Sequence, residues 1–291
     1  MFNPSETAAC RRLVDLALQE DLGTSGDLSS QAVIPVALAG RAMFVARAEG
    51  VLAGLPAVAL VAAAVDERLV LEPQTSDGCR VRPGTALAAV SGPMRGILAM
   101  ERTALNFLQR LSGIASLTRR YVDAVAGLKV QILDTRKTTP GWRLLEKYAV
   151  RCGGGHNHRL GLYDGILIKD NHLAALARER PATIAAAVEL ARAVADVRGV
   201  AVEIEVDNLE QLDEALACRP QIVLLDNMGP DQLRETVRRR GQVAPEVLLE
   251  ASGGVNLATV RAIAETGVDR ISVGALTHSA VALDVALDYL P

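Results

Sequence analysis

The sequence predicts an α/β protein in which a barrel of the (β/α) type follows a smaller α/β unit. Three observations carry this. From Ser112 onward, short runs of apolar, β-branched residues alternate with stretches of helical periodicity, and an alternation of that length demands a parallel sheet with right-handed crossovers. Before it, from Arg41 to Val90, briefer apolar runs alternate with the turn pairs Glu49-Gly50, Asp77-Gly78 and Pro83-Gly84, the pattern of small strands around one helix. Composition agrees: 50% of the chain is hydrophobic and only 3% aromatic, so Ala, Val and Leu do most of the packing.

Taken in order, Ser5 is placed to cap a helix through Gln19, with Leu13, Leu16 and Ala17 on one face. EDLGTSGDLSS then reads as a loop. Val51 to Val65 is apolar but contains Gly54 and Pro56 and ends at Asp66. It is a core helix, since a membrane span needs about 20 apolar residues. Pro93 opens a helix to about Leu111, with Ile97, Ala104, Leu108 and Leu111 as its apolar stripe and Arg102, Asn106 and Gln109 opposite. On geometry alone Arg102 is a solvated arginine. Glu101 falls within the apolar arc, where a carboxylate is costly unless paired, so a buried cationic or amide partner is expected.

The strands expected after Ser112 are Lys129–Leu133, Gly165–Ile168, Val200–Val206, Gln221–Leu225, Val247–Ala251 and Arg270–Val273. Helical patterns lie between most of them: Ala182–Val197, Leu209–Ala217, Pro230–Arg240 and Leu257–Glu265. Six strands, with room for a seventh, suit a barrel better than an open doubly wound sheet. No GxGxxG follows the first strand, so a dinucleotide fold has little support.

The 291 residues carry a net charge of −3, which argues against the broad basic field of a nucleic-acid surface. Cys10, Cys79, Cys152 and Cys218 lie far apart and make no CxxC pair. Neither a disulfide framework nor a zinc site is expected, and a reducing cytoplasm fits. The opening MFNPSETAACRR lacks the basic-then-apolar order of a signal peptide.

Cations are gathered rather than spread. Asp134 to His172 holds Arg136, Lys137, Arg143, Lys147, Arg151, Arg159 and Lys169, with three of the four histidines and the only tryptophan. In an acidic protein such a segment points to an anionic ligand. Catalytic groups of a (β/α) barrel come from the C-terminal ends of its strands. Here Asp134 ends the first run, with Arg136 and Lys137 just after it, and Lys169 ends the second. Glu203, Glu205 and Asp207 share one face of the third while Val202, Ile204 and Val206 pack outward. Asp226 ends the fourth, Ser252-Gly253-Gly254 follows the fifth, and Gly274-Ala275 follows the sixth. One polar strand end can be a helix cap; six in series are hard to explain that way. They also sort by charge: cations first, with His158 nearby, then Glu205 and Asp226, then glycine turns running into helices, the usual phosphate cradle of a barrel. A ligand to match has an anionic portion, a portion bearing hydroxyls or Mg²⁺, and a terminal phosphate.

At these residues the chain resembles the quinolinate phosphoribosyltransferase family, of the type II phosphoribosyltransferases. The similarity lies in DTRKTTPG, KYAVRCGGGHNHRLGLYDGILIKDNH, EIEVDN, LLDNM, EASGGVN and ISVGALTHS, with EDLGTSGDLSS and ERTALNFLQRLSGIAS earlier, and so spans essentially the whole chain. The resemblance implies an incomplete, seven-stranded α/β barrel over residues 112–275. A smaller N-terminal α/β sandwich over residues 1–111 would be joined by a C-terminal helix, residues 276–291. It implies conversion of quinolinate and phosphoribosyl diphosphate to nicotinate mononucleotide, diphosphate and CO2, in de novo NAD synthesis, with Mg²⁺. Arg136, Arg159, Lys137 and Lys169 match the family's quinolinate-binding cations, with Thr135 and His158 beside them. Glu205 and Asp226 match its ribose and Mg²⁺ carboxylates; Ser252, Gly253 and Gly254, with Val273, Gly274 and Ala275, match its phosphate loops. Lys137, Lys169, Glu205 and Asp226 become the catalytic set, the two lysines competing with water to protonate C2. In the family the arginine of ERTALN enters the neighbouring subunit's site, which reverses the solvated reading of Arg102 and implies a homodimer or an assembly of dimers.

Three other readings compete. Lys169 at a strand end would suit a Schiff-base aldolase, although the excess of arginine speaks against it. A relative found beside molybdate-transport genes, with another anionic acceptor, would not need the full cation set. A non-catalytic anion sensor should lack Glu205 or Asp226. His156, His172 and Trp142 have no assigned role; for the two histidines a structural hydrogen bond is at least as well supported as catalysis.

Overall fold

A computed structural model describes residues 1–178 and 183–290. The chain divides into two compact units, one of Met1–Arg119, Lys137–Gly155 and Leu276–Pro291, the other of Arg120–Arg136 and His156–Ala275.

In the first unit, α1 (Pro4–Leu22) starts at Asn3 rather than Ser5. The Asn3 side chain accepts from the Glu6 amide (2.9 Å) and Glu6 accepts from the Asn3 amide (2.8 Å), a reciprocal box that satisfies two otherwise orphaned donors. The segment expected as a loop holds the end of α1 and the start of α2 (Leu28–Val33), capped by Asp27. Then come β1 (Ala39–Ala46), β2 (Gly50–Val51), α3 (Leu55–Val65), β3 (Val70–Pro73), β4 (Arg80–Val81) and β5 (Ala86–Pro93). β5 lies between β1 and β3 in an antiparallel sheet, and β2 pairs with β4. The core helix expected between Val51 and Val65 is α3, with Leu55, Ala57, Val58 and Val61 buried.

One helix, α4 (Met94–Ala124), runs well past Leu111. Its expected stripe of Ile97, Ala104, Leu108 and Leu111 is fully buried, and Arg102 and Asn106 are exposed. Gly113 sits mid-helix because a Cβ there would lie 2.1 Å from the Val281 carbonyl oxygen. α5 (Arg143–Cys152) completes this part; its buried Glu146 accepts from the Arg110 guanidinium at 2.7 Å and from the Thr139 hydroxyl at 2.9 Å.

The second unit is built on β6 (Gln131–Leu133), β7 (Ile166–Ile168), β8 (Val202–Val206), β9 (Ile222–Asp226), β10 (Leu248–Ser252) and β11 (Arg270–Ser272). The helices after β7 are α6 (Asp170–Leu176), α7 (Ile184–Arg198), α8 (Leu209–Cys218), α9 (Pro230–Val243), α10 (Val260–Ala264) and α11 (Ala275–His278). Ala182, the expected first residue of α7, lies outside the described residues; Thr183 caps the helix and Gly199, at φ 65°, closes it. All six strands are parallel, in the order β6-β11-β10-β9-β8-β7. The first strand therefore joins the last, as in a barrel left open between β6 and β7. The seventh stave is reduced to one parallel bridge between Leu133 and His156. There the His156 amide donates to the Ile132 carbonyl (2.8 Å) and the Asp134 amide to the His156 carbonyl (3.1 Å). Gly153-Gly154-Gly155 precedes this point, and glycine runs make poor strands.

The C-terminal helix expected over residues 276–291 is not formed. α11 is a single turn, and Val285–Leu290 is a strand, β12, antiparallel to β1. Val285 and Leu287 are buried and Ala286 and Asp288 are not, the period-two pattern of a sheet covered on one face. Tyr289 of this strand also corrects the expectation for Glu101. That carboxylate is half-buried, and its partner is the Tyr289 phenol rather than a cation or amide.

Candidate active site

Because the six strands run parallel, their C-terminal ends share one rim. Around it the sheet order places Lys169 (after β7), Glu205 (β8), Asp226 (end of β9), Ser252 (end of β10), Val273 and Gly274 (after β11) and Thr135 and Arg136 (after β6). Lys169 and Glu205 form an ion pair, with the carboxylate the more buried partner. Asp226 Oδ2 accepts from the Asn227 side chain at 2.7 Å. Gly253 is required: its φ is +93°, and a Cβ would lie 2.1 Å from Asn227 Oδ1. That contact, with the Asn227 amide donating to the Ser252 carbonyl (2.9 Å), ties the β9 turn to the β10 turn. The glycine turn does not run straight into a helix as expected, since α10 starts only at Val260.

On the cationic flank, Asp134 is fully buried. It accepts from the His158 amide (2.8 Å) and the Asn157 side chain (2.7 Å). Arg159 is half-buried and donates to the Gly165 carbonyl at 2.8 Å. Burial and the neighbouring Arg136 lower its pKa, with Glu203 opposing. His158 faces inward. Its Nε2 lies 3.2 Å from Glu203 Oε2 and 3.2 Å from Glu250 Oε1, and its Nδ1 accepts the Arg159 amide hydrogen at 2.7 Å. Both ring nitrogens are thus engaged by protein groups. Burial disfavours a charged ring, but the hydrogen bonds to Glu203 and Glu250 outweigh it and push the pKa up to about 9. Burial also raises Glu203. The Nδ1 acceptor bond belongs to the neutral ring, so a second ring proton is taken up only by giving up the Arg159 amide.

Glu203 was expected on the inner face, but neither it nor Glu250 was assigned a part in the site. Both are buried, Glu250 completely. The available signal was a charged residue inside an apolar strand, the argument applied to Glu101. Glu203, His158 and Arg159 also line a cavity of about 190 Å³ with Asp164 and Arg270.

Lys137 and Arg102 belong to the first unit. The Lys137 carbonyl accepts from the Thr277 hydroxyl at 2.7 Å. Arg102 lines a concavity of about 240 Å³ with Glu20, Asp21, Asn106 and Trp142. The residues left without a role have structural ones: Trp142 stacks on Phe107 (ring centroids 4.9 Å apart), and His172 Nδ1 accepts the Lys169 amide hydrogen at 2.9 Å, closing the start of α6.

A parallel barrel sheet whose rim carries guanidinium and ammonium groups, two carboxylates on adjacent strands and two glycine turns defines an α/β-barrel protein built for multiply anionic, phosphorylated ligands. Comparison with known proteins makes this specific: the chain belongs to the quinolinate phosphoribosyl transferase family, whose N-terminal domain matches residues 27–112 and whose C-terminal domain matches residues 114–288. It is 46% identical over 292 residues to the nicotinate-nucleotide pyrophosphorylase (carboxylating) of Mycobacterium leprae (strain TN), covering 99% of this chain and 100% of the relative. Identity to the probable nicotinate-nucleotide pyrophosphorylase (carboxylating) of Bacillus subtilis (strain 168) is 42% over 279 residues, covering 96% and 92%. The solved nicotinate-nucleotide pyrophosphorylase from Francisella tularensis matches with a TM-score of 0.89 at 38% identity, covering 98% and 97%.

Proposed function

We propose that the protein transfers phosphoribosyl from phosphoribosyl diphosphate to quinolinate with loss of CO2, yielding nicotinate mononucleotide and diphosphate for NAD synthesis. The observation that carries this is the order of charges around one rim, in a chain that matches the family along both domains. Quinolinate has two adjacent carboxylates, and burying them without counter-charge costs several kcal/mol per ion, of order 5. Arg136 and Arg159 supply forked donors and Lys169 a point charge. Nicotinate, with one carboxylate, would leave a cation unanswered.

Glu205 and Asp226 face the ribose, where leaving of the diphosphate builds positive charge that carboxylates stabilise. Their hard oxygens on neighbouring strands are also the donor type Mg²⁺ takes, largely through substrate and water. Bound there, Mg²⁺ would neutralise charge on the departing diphosphate. The turns at Ser252–Gly254 and Val273–Ala275 would cradle phosphate. The pyridine nitrogen attacks C1; the ring, now cationic, stabilises the carbanion left at C2 by loss of CO2, and a proton from Lys169, Lys137 or water completes the product. The Lys169 ammonium is engaged in an ion pair with Glu205, a contact that a Schiff-base mechanism would have to break.

Arg102 would act in the neighbouring subunit of a homodimer, or of an assembly of dimers. Four free thiols, Cys10, Cys79, Cys152 and Cys218, suit a reducing cytoplasm, and no helix among the described residues is long and apolar enough to cross a membrane. The test is release of CO2 and diphosphate from quinolinate, phosphoribosyl diphosphate and Mg²⁺, with nicotinate as control acceptor. Equal turnover of nicotinate, or none of quinolinate, would overturn the assignment.

A further inference from the structure

The stretch 157–159 carries Arg159 but has almost no sheet to hold it. It follows the single bridge at His156, in the gap between β6 and β7. Side chains take the place of a ladder. Asp134 holds the Asn157 side chain and the His158 amide; His158 Nδ1 holds the Arg159 amide. His158 Nε2 is in turn caught between Glu203 on β8 and Glu250 on β10. Glu250 is itself fixed by the Ser272 hydroxyl on β11. These acids stand at a cost. Among the described residues, Glu203 Oε1 and Glu250 Oε2 are buried with no hydrogen-bond partner, and an unsatisfied buried acceptor costs about 1–3 kcal/mol. The clamp also works against a repulsion, because Arg136 acts on Arg159 as a like charge and Glu203 as an opposing one.

We propose that Glu203 and Glu250 are positioning residues that, through His158, hold Arg159 beside Arg136 before any ligand arrives. This rests on the acid-binding role given to that flank above. It assigns the two glutamates a purpose neither the ribose nor the diphosphate requires: they preorganise a pair of guanidinium groups that would otherwise spread apart, so the dicarboxylate does not have to draw them together.

Glu250→Ala and the conservative Glu250→Gln test it, with calorimetric Kd for pyridine-2,3-dicarboxylate on the full protein and KM for both substrates. In Glu250→Ala the dicarboxylate Kd should rise roughly tenfold or more while KM for phosphoribosyl diphosphate stays nearly unchanged, and Glu250→Gln should recover most of the loss. Glu203→Ala gives the same readout should Glu250→Ala not fold, because Glu203 borders the cavity and water can replace its oxygens. An unchanged dicarboxylate Kd in a folded alanine variant, or equal losses for both substrates, would overturn the inference alone. Absence of dicarboxylate binding to the unmodified protein would overturn it together with the proposed function, and shows before any variant is made.

Discussion

Glu205 and Asp226 are the side chains whose removal should separate binding from turnover. Each is expected to face developing positive charge on the ribose rather than the carboxylates of the acceptor. Glu205→Ala and Asp226→Ala should therefore lower kcat by roughly 10²–10³-fold, with little change in the Kd of quinolinate measured by calorimetry. Losses of equal size in both would contradict the division of labour. The His158 cluster carries a prediction for pH. Facing the carboxylates of Glu203 and Glu250, His158 binds a proton more tightly when folded, so that contribution is present at low pH and lost as pH rises. For the ring the window runs from its ordinary value of 6.5 to about 9. Urea unfolding across that window should show stability falling as pH rises, by less than the roughly 3 kcal/mol of the whole shift because the charged ring gives up the Arg159 amide, and Glu250→Gln, by removing one counter-charge, should flatten the fall. A stability that rises over the same window would refute the assigned protonation.

Among the elements, α4 offers the sharpest test of packing. In an unhindered helix Gly→Ala gains about 1 kcal/mol. At Gly113 the added carbon would meet the Val281 carbonyl at 2.1 Å, and overpacking of this kind costs about 1–3 kcal/mol. Gly113→Ala should thus lower the urea midpoint; an unchanged or raised midpoint would mean the closing segment yields freely. The barrel strands were legible because each is an apolar, β-branched run ending in a polar residue, and β8 kept the predicted alternation: Val202, Ile204 and Val206 are fully buried outward while Glu205 stays at the rim. β12 was not legible. VALDYL is only six residues long, and with no partner visible in sequence its alternation competes poorly with a helical reading. The seventh stave was beyond reach for another reason, since one bridge leaves no periodicity.

For the molecule as a whole, the prediction concerns Arg102, which is exposed on α4. Arg102→Ala should cripple quinolinate turnover, and mixing it with Asp226→Ala should restore part of the activity through hybrid dimers carrying one intact site. No recovery after subunit exchange, verified by tagging one variant, would count against a shared site. The rim residues from Thr135 to Gly274 could be read in the sequence because chemistry at strand ends repeats with the strands. The inward acids behind His158 could not, since their meaning depends on which strands are neighbours: Glu203 and Glu250 are 47 positions apart in the chain and meet across β9.

The pairing of β12 with β1 has a bearing on biosynthesis. On one side β1 pairs with β5, but on the other Arg41 to Ala46 pair with Val285–Leu290, so on a ribosome one margin of the first sheet stays uncovered until that distant segment is made. The barrel's later strands emerge well before that margin is sealed. Nascent protein of this kind should depend on a chaperone that shields Met43 and its neighbours until residues 285–290 emerge.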